Sequence, residues 1–424
     1  MGFATSWLDK RALFPEFINE PPDNKTGIIV VIPAYNEPDI AELLGSLVKC
    51  DEPGCKVEVI IIVNAPAYAG PEISLNNTIC IRNIESLKRE NKSFFRLYYF
   101  DAGQPSIKGW GVGLARKTGM DEALRRFSNI GNPEGVIASL DADCTVAKNY
   151  FTELYCELYG NRHYRACSIY FEHPLAGNDF SPDIYNYILQ YELHLRYFLQ
   201  GLKYTGFPFA FHTVGSSMAV KASSYEACGG MVRKQAGEDF YFIQKLMPLG
   251  GYFALNSTAV YPSPRESSRV PFGTGAAMSR LMELSGNNFL TYNSDAFKEL
   301  RFIFSLTGEL YRSDKSEIIT FRNSLPPGLK TFLHEDEFLE AVTEIKENTS
   351  GLDSFRKRFF VWFNMFRIIK YLNHVSSGLF YKQAVTEQAP KLLEIIGIKT
   401  SYTTLQELLE CYRSMEREIN YSSW

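Results

Sequence analysis

The sequence predicts an α/β protein: a mostly parallel sheet flanked by helices, followed by a helical C-terminal region. Three observations predict it. Gly27-Ile28-Ile29-Val30-Val31-Ile32 is a short, continuous apolar run that stops at Pro33, the pattern of a strand buried on both faces. Similar runs recur at 57–63 and 136–140 and alternate with helical patterns, as in a sheet built from repeated strand-helix units. After Pro262-Ser263-Pro264 the β-branched runs thin out, and helix-type patterns dominate the remainder of the chain.

Each element follows from its residues. Apolar, β-branched segments place strands at 28–32, 57–63, 95–100, 136–140, 167–171, 218–220 and 252–255. Residues 38–48 read as a helix with Pro38 in its first turn, and residues 112–127 as another. A chain of 424 residues exceeds the length at which one core keeps growing. It therefore divides into an N-terminal extension (1–26), an α/β domain (27–262) and a mostly helical C-terminal region (263–424). Within that last region, residues 359–372 (FFVWFNMFRIIKYL) are the most aromatic stretch and directly follow Arg356-Lys357-Arg358. Two readings stand for it: a helix packed in a core, or an amphipathic face resting on an anionic membrane surface. Apolar positions on more than one helical face favour the core.

Charge and cysteine usage exclude several classes. Lys and Arg total 44 against 48 Asp and Glu, a net charge of −4 with no dense basic block, which argues against nucleic-acid binding. The eight cysteines are scattered and form no Cys-x-x-Cys. Neither a zinc site nor a disulfide framework is expected, and the pattern suits a reducing cytoplasm. Asp9, Lys10, Arg11 and Glu16 interrupt any signal-peptide core, and no run reaches transmembrane length. The expectation is a cytoplasmic protein with at most weak peripheral contact to the inner face of a membrane.

The chemistry gathers at strand ends, because ligands of open α/β sheets collect at the carboxyl ends of the strands. The strand ending at Leu140 delivers Asp141-Ala142-Asp143 to that edge. Two carboxylates one residue apart can share a hard divalent cation, Mn2+ or Mg2+, and through it hold a nucleotide diphosphate. Asp143 is the expected direct ligand, with Asp141 reaching the metal through water or contacting a ribose. Pro33, Ala34, Tyr35, Asn36 and Glu37 at the first strand end, and Asn64 at the second, are placed to contact a nucleobase and ribose. Glu238 and Asp239 follow Gly237 and precede the apolar helical run 240–246. Helix capping accounts for one of these carboxylates. The other is available as a general base, with Asp239 the candidate and Glu238 the next.

Between these motifs, Lys108-Gly109-Trp110-Gly111-Val112-Gly113-Leu114-Ala115-Arg116-Lys117 joins glycines to cations. It lacks the third glycine of a dinucleotide-binding loop, and no P-loop occurs. Arg116 and Lys117 read either as a solvated helix face or as phosphate contacts, with Lys108 a further candidate. Arg265 and Arg269 stand among turn residues after the last strand, in a segment that reads either as a loop closing on a diphosphate or as a linker.

As an ordered set, these residues resemble the inverting glycosyltransferases of family 2, which have the GT-A fold. The resemblance runs from Val30-Val31-Ile32-Pro33-Ala34-Tyr35-Asn36-Glu37 through Gly113-x-x-Arg116 and Leu140-Asp141-Ala142-Asp143 to Gly229-Gly230 and Gly237-Glu238-Asp239. It implies a GT-A, Rossmann-like sheet, a nucleotide-sugar donor and a divalent metal on Asp141 and Asp143. It also implies hexosyl transfer with inversion to an acceptor hydroxyl, with Asp239 as base. The acceptor is left open between a saccharide, a lipid-linked and a small-molecule alcohol. No histidine occurs between His212 and His334, so the metal would rest on the D-x-D aspartates, and no Q-x-x-R-W motif points to a processive synthase. Three competitors are weighed. A sugar-phosphate nucleotidyltransferase would carry a glycine-rich basic loop where Pro33 to Glu37 stand. A catalytically inactive binding module would be expected to lose an acidic motif. A nucleotide-sugar hydrolase would share the donor site and lack only an acceptor pocket.

Overall fold

The computed structural model of the chain describes residues 2–66, 68–90, 92–103, 105, 107, 110–234, 237–265, 288–399 and 401–418. Its described residues form two compact units: those of 1–185, 213–279 and 416–424 in one, and those of 186–212 and 280–415 in the other. This division differs from the sequence-based boundaries at 26 and 262. The N-terminal residues pack within the sheet unit, and residues 186–212 group with the C-terminal helices.

In chain order the elements up to residue 262 are α1 (Thr5–Arg11), β1 (Thr26–Ala34), α2 (Ala41–Val48), β2 (Lys56–Val63), α3 (Pro71–Glu90), β3 (Arg96–Asp101), α4 (Val112–Asn129) and β4 (Val136–Ser139). There follow β5 (Cys144–Val146), α5 (Tyr150–Glu153), β6 (Ala166–Phe171), α6 (Pro182–Thr205), β7 (Met218–Lys221), α7 (Ala222–Ala227), α8 (Glu238–Leu246) and β8 (Tyr252–Pro262). Eight strands make one sheet in the order β3-β2-β1-β4-β7-β6-β8-β5. The run β3-β2-β1-β4 is parallel, as is β6 with β8. β7 is antiparallel to both its neighbours, and β5 to β8. The sheet is thus mostly parallel, Rossmann-like in its first half, and flanked by helices. All seven strands expected from sequence are present. β5, three residues long, carries too short a pattern to be read that way.

β1 is buried at all nine positions, which is what its unbroken apolar run requires. Each of its large side chains removed from water contributes roughly 1.5–3 kcal/mol. α4 lies close against it through Gly119, where a Cβ would stand 2.4 Å from Val31 Cγ1. α4 is buried nearly all round although it is rich in charge, because the N-terminal segment covers its outer side. Ala4 N donates to Ser128 Oγ at 3.0 Å, Arg125 Nη2 to Phe14 O at 3.0 Å and Arg126 Nη1 to Glu20 O at 2.9 Å. Beneath the same cover Lys117 pairs with Asp121 at 2.8 Å, under the Trp7 ring 5.2 Å away. Lys117 is therefore an interior ion-pair partner, neither a solvated charge nor a phosphate contact.

The second unit is helical apart from the two-stranded ribbon of Leu290–Thr291 and Gln383–Ala384. The aromatic stretch 359–372 is not one helix. It breaks between Leu352–Trp362 and Met365–Ser376, where the Asn364 side chain caps the second by accepting from Arg367 N. Phe359, Phe360, Phe363, Ile368, Tyr371 and Leu372 are all buried, and Phe304 meets Phe360 and Phe363 edge-on at 5.1 Å. The stretch serves a core, and the basic triplet stands outside it. Among the described residues no helix is long and apolar enough to cross a membrane.

Glu122 on α4 shows what covering that helix does. Burial raises its carboxyl from the ordinary 4.5 to about 7, against the opposing pull of Arg125. A carboxyl raised on folding favours the protonated form, so its contribution is fully present below its unfolded value and is lost as pH rises through about 7. Glu122→Gln should therefore match wild type in unfolding free energy near pH 4.5, read by denaturant titration, and exceed it increasingly towards pH 8, by at most about 3 kcal/mol. A difference independent of pH would show that burial does not govern this group.

Candidate active site

Three chain segments bring carboxylates to the carboxyl edge of the parallel strands. β1 ends at Ala34 and β4 at Ser139, with Val31 opposite Ser139 in parallel register, so Glu37 and the Asp141-Ala142-Asp143 motif leave the sheet at the same edge. α8 begins at Glu238 behind Gly237, whose φ of 68° is the left-handed conformation that glycine adopts without strain.

Arg116 ties these ends together. Its Nε donates to Ser139 Oγ at 3.0 Å, Nη2 to Asp141 Oδ1 at 2.6 Å and Nη1 to Glu238 Oε1. The side chain is buried, and its three polar directions are taken by protein. This corrects the expectation of a phosphate-facing arginine: Arg116 sits beneath the site and fixes it. Burial alone would lower its pKa, but Asp141, Glu238 and Asp239 outweigh that and hold it above its usual value, so it stays charged. Gly215 makes room for it. A Cβ at Gly215 would fall 2.9 Å from both terminal nitrogens of Arg116.

Asp239 is held by the backbone. Gly215 N donates to its Oδ2 at 2.9 Å and Phe240 N to its Oδ1 at 2.7 Å. Burial pushes its pKa above the ordinary carboxylate range, against the opposing field of Arg116. The neighbouring Glu238 is raised for the same reason, burial first and Arg116 opposing. One carboxylate is thus committed to an arginine, and the other is oriented by two N–H groups that leave it further acceptor capacity.

A second arginine serves the other carboxylates. Arg265 Nε lies 2.8 Å from Asp143 Oδ2, and its Nη1 and Nη2 donate to the two oxygens of Glu37. Ala142 is buried between the aspartates, whose side chains keep about a third of their surface (38 % for Asp141, 25 % for Asp143).

The first strand end is shaped for support. Asn36 takes φ 58°, uncommon for a residue with a side chain, and is fixed there by Asn77 Oδ1 accepting from its N–H at 3.1 Å and Asn76 Nδ2 donating to its side chain at 2.8 Å. Asn64 is buried: its Nδ2 donates to Ala34 O at 2.9 Å and its Oδ1 accepts from Trp110 Nε1 at 3.1 Å. Expected as a nucleobase or ribose contact, it instead joins the ends of β1 and β2 to Trp110. Pro33 and Ala34 are buried in β1, whereas Tyr35 and Asn36 are half-buried at its end. Lys108 and Arg269 lie outside the described residues. Ser139, Asn76 and Asn77 were missed by sequence reasoning, since a serine ending a strand and asparagines within a helix carry no distinguishing pattern.

Five carboxylates, Glu37, Asp141, Asp143, Glu238 and Asp239, are gathered here around the guanidinium groups of Arg116 and Arg265. That excess of acid and the hard oxygen donors of Asp141 and Asp143 fit a divalent cation. Among the described residues no group of three or more His, Cys, Asp or Glu side chains is arranged to hold a metal ion. The aspartates would supply two ligands at most, with phosphate oxygens and water completing the shell, as Mg2+ commonly allows.

No protein-family model matches the chain, and no curated protein matches it. Among solved structures, it is similar to residues 1–349 of TarS from S. aureus in complex with UDP-GlcNAc, at 15% identity over 79% of this chain and 91% of that one, TM-score 0.38. It is also similar to the mannosyltransferase PcManGT from Pyrobaculum calidifontis in complex with GDP-Man and Mn2+, at 16% identity over 98% and 92%, TM-score 0.36. A mycobacterial protein matches at 14% identity over 63% and 80%, TM-score 0.34. Likenesses this distant carry no argument about activity, which rests on the site.

Removing Arg116 should expose its role in folding. In Arg116→Met the buried Glu238 carboxylate loses its partner, and denaturant unfolding should show a loss of about 3–5 kcal/mol. Adding Glu238→Gln to that chain should restore part of the loss. A fully stable Arg116→Met protein would refute the tie between β4 and α8.

Proposed function

We propose that the protein is an inverting glycosyltransferase that moves a hexosyl group from a nucleotide-diphosphate donor to an acceptor hydroxyl. The observation that carries this reading is the pairing of two unlike carboxylate sites at one sheet edge. Asp141 and Asp143 form a partly exposed acidic pair, and Asp239 is a half-buried, backbone-oriented carboxylate of raised pKa, the two being linked through Arg116 and Glu238.

Asp239 serves as general base. Its two backbone hydrogen bonds fix the carboxylate plane, and its raised pKa strengthens it as a proton acceptor, so that it takes the proton of the acceptor hydroxyl as that oxygen attacks the anomeric carbon. Direct displacement by one nucleophile inverts that carbon. Arg116 keeps Asp141 and Glu238 in place, and its charge keeps Asp239 ionised in part against burial. Asp143 and Asp141 would hold a divalent metal, Mn2+ or Mg2+, which when bound supplies stabilisation of the charge developing on the leaving diphosphate. Tyr35 and Asn36, half-buried at the end of β1, are placed for the nucleoside, and Arg265 for the diphosphate.

Two variants test the reading. Asp239→Asn preserves size but gives up one of the two oxygens that accept backbone N–H groups and cannot accept a proton at neutral pH, so transfer should fall by at least about 10²-fold, with nucleotide affinity nearly unchanged. Near-normal turnover would move the base role to Glu238. Asp143→Ala should remove the metal-dependent part of UDP or GDP binding, read as the ligand-induced thermal shift with and without Mn2+, in a chain that remains folded. A metal-dependent shift that survives would dissolve the D-x-D assignment.

A further inference from the structure

Asp143 already has a cation in this structure. The Arg265 fork is matched to Glu37, with Nη1 donating to Oε2 at 2.8 Å and Nη2 to Oε1; Nε lies 2.8 Å from Asp143 Oδ2, an ion-pair contact without hydrogen-bond geometry. The guanidinium thus bridges two carboxylates from different strand ends, hydrogen-bonded to Glu37 and paired by charge alone with Asp143. Only 27 % of the Arg265 side chain is exposed, and Glu37 is nearly enclosed at 7 %, so the pairs are weakly screened. Burial would lower the arginine's pKa, but its bonds to Glu37 and the charge of Asp143 more than offset this. Ser263 N donates to Asp143 O at 3.2 Å, holding the chain just before Arg265 against the motif.

A divalent ion bound to Asp143 would stand about 2.0–2.6 Å from a carboxylate oxygen. The guanidinium would then face it across the same carboxylate, like charge against like charge at close range. We propose that Arg265 is the resident counter-ion of Asp143, which a divalent cation must displace. The displaced guanidinium remains anchored on Glu37 and becomes a contact for the donor's diphosphate. This rests on the proposed function in one respect, that the metal binds at Asp143.

The consequence is coupled uptake. Metal alone binds weakly, because it must break the Arg265 pair and leave that charge facing its own. A nucleoside diphosphate brings the negative charge that both cations need, so metal and donor enter together. Glu37 acts through Arg265 and is a positioning residue.

The test is Mn2+ binding to the full chain, read by electron paramagnetic resonance of the free ion, for wild type, Arg265→Gln, Arg265→Lys, Asp143→Asn and the Arg265→Gln/Asp143→Asn double variant. Arg265→Gln should bind Mn2+ alone at least about tenfold tighter than wild type, a factor of ten in the equilibrium constant being well resolved. Arg265→Lys, which keeps the charge but not the fork, should fall between them, and the gain should vanish in the double variant. UDP or GDP should tighten Mn2+ binding more in wild type than in Arg265→Gln. Thermal midpoints guard against misfolding: Mn2+ should raise that of Arg265→Gln more than that of wild type. Unchanged or weaker Mn2+ affinity in Arg265→Gln, with binding still abolished by Asp143→Asn, overturns the counter-ion role and leaves the metal site intact. Binding that survives Asp143→Asn, or no binding by any chain even with UDP or GDP, overturns the metal assignment and this inference with it.

Discussion

The buried guanidinium of Arg116 is the contact on which the rest of the site depends. It reaches Ser139 at the end of β4, Asp141 just beyond it and Glu238 at the start of α8, so one side chain sets the distance between two acidic motifs almost a hundred residues apart. A charge enclosed this way is tolerable only while its partners are in place, since removing one leaves an uncompensated ion in a weakly screening interior. The same demand explains its neighbours. Gly215 lacks a side chain because the guanidinium occupies that space, and its N–H is thereby brought to Asp239.

The two arginines divide the acidic residues between them. Arg116 is enclosed and its bonds are internal to the scaffold, whereas Arg265 is partly exposed and bridges Glu37 to Asp143. An enclosed ion pair is a fixed feature, while one open to solvent can exchange partners at smaller cost. Arg116 thus holds Asp141 and Glu238 from within the scaffold, whereas Arg265 holds Asp143 at the edge of the solvent.

Much of the sheet was legible because a strand buried on both faces has to be largely apolar, as β1, most of β2, and β4 and β6 are, while β3 and β8 were legible from shorter apolar or aromatic runs within partly exposed strands. The D-x-D and Glu238-Asp239 motifs were legible because carboxylates at strand and helix ends stand out against apolar runs. Lys117, Arg116 and Asn64 were less so. Each is polar and near a strand end or helix start, which suggests a ligand contact, yet each is turned inward. For Lys117 the cause is the N-terminal segment laid over α4; for Arg116 it is the convergence of β4 and α8; for Asn64 it is Trp110. No pattern within a short window encodes what another segment will cover.

The aromatic stretch 359–372 makes the same point from the other side. Its composition allowed a membrane-facing helix, and the break at Phe363 and Asn364 turns its rings into a core with Phe304. The sequence by itself determined the class of the sheet, the order of the acidic motifs and the edge at which they emerge, because hydrophobic period and strand ends are local properties. Only the tertiary structure decided which charges are paired, which are enclosed and which remain open to a ligand. Burial and ion pairing depend on segments brought together from distant parts of the chain.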